Sequence, residues 1–495
     1  MDLKIGQKKA HGIAESPANR PRHRRRMVRN SLSIITWEGS FATVFIVLTG
    51  GAFLTGMALL LGANDFEIGL LAAIPFLAQV AQLASAYLVD LTGRRKLITL
   101  WTIGLARQAW WILLPLPLLS GDWRLPVMLA IIVLSNLGAN MAAAGWMSWV
   151  ADLVPDRIRG RYFGSRSAVI AAVSITTTLA GGFILDHFRA DGHEGAGFGI
   201  IIAIGSLFAL GALVLLGRLP GVRVARKEGE VSLQRLLEPL KNKCFAQLLK
   251  IFFVWNFALG ICAAFFAAHM LTNLKMTFTQ IALYAALAAM VAVLLNKPWG
   301  MMVDRFGSKP VIVFCAFGIS FVPMIWWIPR AGHLWVLIFE AIYSGALWTG
   351  FNLAAFNIPI ANSPREGRTI YLAMFSVVTG LAFFASSVIG GALAENWRHV
   401  HWILGKQTIV NYHILFALST VLRLLAAFVA LSYHEPEEKG LPSLIQFMGN
   451  SILRWLSIGR QILPWTSKMN PARFPGTELI RVPVILAGKH RSPRR

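Results

Sequence analysis

The sequence predicts an all-α membrane protein: twelve transmembrane helices in two pseudo-symmetric six-helix bundles. Three observations predict it. First, 56% of the 495 residues are hydrophobic and 14% charged, where a soluble domain carries roughly a quarter charged residues. Second, mostly apolar stretches of about 20 residues, the length that crosses a bilayer, recur twelve times. Third, the 47 Lys and Arg residues gather on one side of those stretches.

The stretches lie near 31–61, 66–90, 96–119, 125–150, 164–187, 197–217, 247–273, 277–303, 309–329, 333–361, 367–394 and 409–433. Turn formers separate them, such as Gly62 to Asp65 and Ser120 to Asp122. Arg24, Arg25 and Arg26 ahead of the first stretch give it the outline of a signal peptide. The apolar run from Ser31 to Leu61 is too long for a signal core, however, and has no Ala-x-Ala-like cleavage site. It reads as a first span with a basic flank. With the N-terminus inside, 38 Lys and Arg fall to the cytoplasmic side and six to the outer side. The remaining three, Arg107, Lys297 and Arg423, fall within spans. A misplaced helix would have reversed every later loop, so the bias supports both the spans and cytoplasmic termini. The expected setting is the lipid bilayer of a bacterial cytoplasmic (inner) membrane.

A net charge of +24 would suit a nucleic-acid binder if the basic residues shared one soluble face. They sit in short segments between apolar runs, so no nucleic-acid partner is expected. Cys244, Cys262 and Cys315 have no CxxC spacing and imply neither a disulfide framework nor a thiolate metal site. His399 and His401 are too sparse a pattern for a metal site, and no cofactor is expected. No HExxH, GxSxG or metal-binding aspartate pair occurs, so the chain does not read as an enzyme.

The long polar stretch 218–246 reads as a cytoplasmic linker. It leaves 31–217 and 247–433, each with six spans, as two bundles in one orientation, a parallel repeat. Residues 1–30 form a basic cytoplasmic tail. Residues 434–495 form a second basic tail, with an amphipathic surface helix expected over 441–464 and a disordered Pro/Arg-rich end. Local matches support the repeat. Asp90, Gly93, Arg94 and Arg95 follow span two, as Gly300, Asp304, Arg305, Gly307 and Lys309 follow span eight. Pro155 to Arg161 follows span four, as Pro364 to Arg368 follows span ten. Gly181-Gly182 precedes Asp186 in span five, as Gly390-Gly391 precedes Glu395 in span eleven.

The loop pattern G-x-x-x-D-[RK]-x-G-[RK]-[RK] after spans two and eight resembles the hallmark loop of the major facilitator superfamily. The second copy departs from it at Ser308, the first at Ala86 and Leu91. The resemblance covers about residues 31–433. It implies a secondary transporter that moves a small-molecule substrate by alternating access, with protons the candidate coupling ion and a monomer the expected state. A non-transporting membrane sensor or assembly factor on the same fold is the alternative. Span four lacks the Arg-bearing motif of proton-driven drug exporters, and span five has Gly181-Gly182 without their Gly-Pro.

A carboxylate at the inner end of span two, Asp90, can accept hydrogen bonds from the free N–H groups of a neighbouring helix start. The resemblance implies that this neighbour is span eleven, near Gly367. Arg94 would then bridge Asp90 and Asp152, and Gly93 and Gly307 would allow the tight turns. By symmetry Asp304 would face the start of span five, with Arg161 or Arg166 nearby. Asp90, Gly93, Arg94, Asp152, Arg161, Gly300, Asp304, Arg305, Gly307 and Arg368 are thus the expected cytoplasmic gate.

Ionisable groups at membrane depth cost roughly 2.5–3.5 kcal/mol each on insertion scales, which makes Glu38, Arg107 and Glu340 the substrate or proton candidates. Arg423 and Lys297 are weaker ones, because a structural pair or snorkelling accounts for them. Asn136, Asn140, Asn256 and Asn352, with Gln79, Gln82 and Asn357, are candidate cavity amides. Trp146, Trp149, Trp255 and Trp348 would complete a polar-aromatic lining. The plainer reading for any one amide is an interhelical hydrogen bond.

Overall fold

The computed structural model describes residues 20–155, 158–221, 233–364, 368–405, 407–433 and 440–449. The chain divides into two units, Met1–Leu441 and Pro442–Arg495. All twelve spans lie in the first. Of the second, residues 442–449 are helical; most of the expected surface helix, and the Pro/Arg-rich end, lie outside the described residues.

The first half holds span one (Arg20–Leu48, continued by Gly51–Leu60), span two (Asp65–Leu77 and Ala81–Thr92) and span three (Arg95–Gln108, then 3-10 turns to Leu118). Span four (Arg124–Leu153), span five (Arg159–Ala190) and span six (Glu194–Gly217) complete it. In the second half, span seven comprises Lys243–Ala263 and Phe265–Thr272, span eight Phe278–Phe306, and span nine Ser308–Ser320 with Val322–Ile325. Spans ten (Val336–Ala361), eleven (Arg368–Asn396) and twelve (Asn411–Leu431) follow. Helices are the form these segments must take, because lipid offers no partner for a free backbone N–H or C=O.

Eleven helical stretches among the described residues are long and apolar enough to cross a membrane. Span two is the interrupted one. Pro75 removes a backbone donor, and a 3-10 turn at Ala78–Val80 separates its halves. Span one breaks at Gly50 and Gly51, where Gly51 has φ 52°. These breaks let one span lean on different neighbours at its two ends.

Packing repeats between the halves. Span one packs on spans five and six as span seven packs on eleven and twelve; spans two and three pack on four as eight and nine pack on ten. The two ends of the molecule differ. We call the end that carries the helix ends nearest the chain termini the terminal face, and the opposite end the distal face. Near the distal face the apolar core runs through both halves: Phe278 of span eight contacts Phe53 and Phe198 of the first half at 6.1 and 5.8 Å between ring centroids. Toward the terminal face a second core of Ile35, Ile103, Trp149, Val150 and Leu216 belongs to the first half alone.

Candidate functional site

A helix start leaves its first N–H groups without partners. At the distal face spans two and eight both begin with a capping box, Asn64 with Glu67 and Thr277 with Gln280, which satisfies the N-cap and N3 donors. The next donors are met by the opposite half. Asp186, at the end of span five, accepts from the N–H of Phe278 at 2.8 Å and of Thr279 at 2.7 Å. Glu395, at the end of span eleven, accepts from the N–H of Asp65 at 3.1 Å. The Asp65 carboxylate in turn accepts from Tyr412 and Asn411 of span twelve.

Close backbone approach makes these contacts reachable. A Cβ on Gly69 would lie 2.6 Å from the Gly391 Cα, and one on Gly182 would lie 2.8 Å from the Phe278 carbonyl oxygen. Ser387 also donates to the Gly69 carbonyl at 2.9 Å, and Phe76 stacks on Phe383 at 3.7 Å. The sequence marked Gly181-Gly182-Asp186 and Gly390-Gly391-Glu395 as repeat landmarks. Their capping of the partner half was missed, although the N-x-x-E and T-x-x-Q signatures at 64–67 and 277–280 were there to find it.

Directly beneath this seal lies a cavity of about 450 Å³. Spans one to four contribute residues such as Ile46, Ile68, Trp110 and Asn136, and span seven contributes Ala264 and Ala267. It sits at the helix breaks of spans one, two and seven.

The buried charges lie off this lining. Glu38 of span one and Arg107 of span three pair at 3.6 Å, both nearly inaccessible. Trp146 lies close to the same carboxylate. Arg166 of span five crosses Gly39 and stacks over the Trp146 ring at 5.3 Å. Glu340 accepts from the Tyr284 hydroxyl at 2.5 Å inside the second half. Arg423 is buried against Cys262 Sγ and the Ile319 carbonyl, both at 3.4 Å, and Lys297 is exposed.

The expected gate residues gather at the terminal face. Asp152 pairs with Arg95 at 2.6 Å, and Arg95 also donates to Ser148 at 3.2 Å. The partner is therefore Arg95, one residue on from the expected Arg94, which is exposed at the helix N-cap. The reason is local: Gly93 takes φ 63° as the C-cap of span two, and the next helix starts so that Arg95 faces span four. Gly307, φ 93°, makes the matching turn between spans eight and nine. Asp304 and Arg161 are exposed, and the space beside Gly160 and Gly164 is open. Arg166 is turned to Gly39 and Trp146 and away from the role expected beside Asp304. Arg305 lies over the Phe306 ring, Gly300 is in ordinary contact with Leu353, and Arg368 opens span eleven. The expected approach of Asp90 to Gly367 lies outside the described residues.

Most amides follow the plainer reading. Asn136, Asn140 and Asn256 donate to carbonyls one turn back in their own helices, and Gln82 donates to Asn140 at 3.0 Å, joining spans two and four. Asn136 lines the cavity; Asn352 is exposed on span ten. The tryptophans divide. Trp149 is buried and donates to the Pro220 carbonyl, and Trp255 is buried against Phe351 inside the second bundle. Neither is among the residues lining the 450 Å³ cavity; Trp146 and Trp348 are half-buried.

A family model described as Major Facilitator Superfamily matches residues 39–272 and 257–487. The multi-drug resistance efflux pump PmrA of Streptococcus pneumoniae is 26% identical over 161 residues, 30% of this chain and 38% of the pump. The chain thus spans about two fifths of that relative. An uncharacterized MFS-type transporter, MJ1560, of Methanocaldococcus jannaschii is 22% identical over 78% of this chain and 95% of its own length. Among solved structures, a D-xylose-proton symporter aligns with a TM-score of 0.64 at 14% identity, covering 82% of this chain and 98% of that one.

Proposed function

Because the chain belongs to the major facilitator superfamily, we propose that it is a secondary transporter moving a small solute by alternating access, seen here open toward the terminal face. The distal seal carries this reading. Four backbone or carboxylate contacts and two glycine crossings join the halves there, above a cavity lined from both, while Asp304 is exposed at the other end. The Lys/Arg bias supports placing the terminal face, and both termini, in the cytoplasm. The Glu38–Arg107 pair is the candidate proton site, since it holds a carboxylate at membrane depth without taking part in the seal.

Magnitudes support a switch. A hydrogen bond to a charged group contributes about 1.5–3 kcal/mol. Two sealing carboxylates thus hold a two-state equilibrium by roughly a hundredfold or more, at 1.4 kcal/mol per tenfold. Their loss would redistribute the population.

The test needs no substrate. In proteoliposomes, with Cys244 replaced by Ser, Ala72→Cys in the cavity should be shielded from a membrane-impermeant maleimide added at the distal side. Adding Asp186→Asn and Glu395→Gln should expose it. Equal labelling with and without the two substitutions would remove the distal seal as a gate.

A further inference from the structure

The chemistry of the cavity wall limits what it can hold. Its volume, about 450 Å³, is within the roughly 300–1,000 Å³ of small-molecule sites. Among the described residues that line it none is ionisable. Glu38, Arg107, Glu340, Lys297 and Arg423 all lie elsewhere. A charged solute would therefore meet Phe45, Ile46, Leu54, Ile68 and Leu71 with no counter-charge, and an unpaired ion in such surroundings is strongly disfavoured.

The polar side chains on the wall are partly committed within the protein. Thr49 donates its hydroxyl to the Phe45 carbonyl at 2.7 Å, and Thr55 donates to the Gly51 carbonyl at 3.2 Å. Asn136 turns Nδ2 back to the Ile132 carbonyl at 2.8 Å, which leaves Oδ1 for another partner. Ser135 accepts from the Trp110 indole at 2.9 Å. Pro75, also on the wall, has no N–H to offer the Leu71 carbonyl. Thr49 and Thr55 thus spend their hydroxyl hydrogens within the helices, and Asn136 Oδ1 is left as an open side-chain acceptor.

We infer that the transported solute is neutral and largely apolar and carries an N–H or O–H donor, which Asn136 Oδ1 accepts. This rests on the transporter reading above, with the cavity as the transport site.

A matched pair of dyes tests it on the full chain purified in detergent. N-phenyl-1-naphthylamine is neutral and carries one N–H; 8-anilino-1-naphthalenesulfonate has the same rings plus a sulfonate. The neutral dye should show saturable fluorescence enhancement that Ala139→Trp and Ile46→Trp abolish by filling the cavity. Ala139 and Ile46 are exposed, so these variants fold. Asn136→Leu should weaken binding roughly threefold to tenfold, the loss of one hydrogen bond. The sulfonate should show no enhancement sensitive to these variants. Tighter binding of the sulfonate, no saturable binding of the neutral dye, or indifference to both Trp variants would overturn the inference. Those outcomes leave the Ala72→Cys labelling result intact, whereas failure of that labelling removes the transporter reading whatever the dyes do.

Discussion

The two ends of this molecule carry the same kinds of residue and use them differently. At the distal face, acidic side chains from one half accept main-chain N–H groups from the other, and glycines let the helices touch. At the terminal face, Asp152 is paired with Arg95 of its own half, and Asp304 is exposed. The difference teaches where the conformational energy sits. In the alternating-access cycle proposed above, a contact between halves must form and break each time, and main-chain donors at a helix start are suited to that: they are fixed in place and lose no side-chain entropy on pairing. A contact within a half can persist through the cycle, so it sets geometry and does not bias the equilibrium.

The largest effect on distal labelling should come from forcing side chains into the glycine crossings. Gly182→Leu and Gly69→Leu put new atoms where a Cβ alone would be 2.8 and 2.6 Å from partner backbone. Overpacking costs about 1–3 kcal/mol, and here that cost falls on the sealed state. Distal labelling of Ala72→Cys should rise about tenfold or more in either variant. Unchanged labelling would mean that the close approach is incidental to the seal.

A second change should lower stability without moving the gate. Arg107→Ala leaves Glu38 buried without its partner, and breaking a buried pair costs about 3–5 kcal/mol. The thermal midpoint in detergent should fall, and Glu38→Gln in the same chain should recover most of it. Because the pair lies within one half, distal labelling should be unchanged in both variants. A shift in labelling would instead tie this pair to the gate.

The sequence made one of these ends more legible than the other. Span positions and orientation could be read because apolar length and Lys/Arg bias act over whole segments, and small errors in single residues cancel. The terminal-face loops could be found because Asp90, Gly93, Asp304 and Gly307 form a dense local pattern. Which arginine meets Asp152 was not readable, since one residue's offset in the start of span three decides between Arg94 and Arg95, and that offset follows from the φ of Gly93. The distal seal was hidden for a different reason. Asp186 and Phe278 are 92 positions apart, and Glu395 and Asp65 are 330 apart; each acceptor looks like an ordinary helix-end acid until its partner's helix start is beside it. The Trp residues misled because aromatic character marks bundle core and cavity wall alike, as Trp255 and Trp149 demonstrate.

A smaller effect is expected at the terminal face. The Asp152 side chain is 48% exposed while Arg95 is buried, so water screens the pair and its contribution is about 1 kcal/mol or less. Asp152→Asn should move the thermal midpoint slightly and leave distal labelling unaltered. A large shift in labelling would show that this pair carries gating energy, and would collapse the distinction drawn between contacts within and between halves.

The smallest effect on the conformation seen here belongs to Asp304→Asn, and that is its value. Asp304 is exposed, and a Cβ on Gly160 or Gly164 would meet nothing within 4 Å, so nothing in this state should notice the change: the thermal midpoint should hold. If alternating access brings span eight onto the start of span five, however, the same carboxylate becomes the terminal-face counterpart of Asp186, capping a helix start from the opposite half. Asp304→Asn should then act in the other conformation alone. Combined with Asp186→Asn and Glu395→Gln, it should return distal labelling of Ala72→Cys toward the shielded level, because both ends have lost comparable caps. A triple variant as fully labelled as the double would show that the terminal face closes by some means other than Asp304, and that the two ends are not mechanical equivalents.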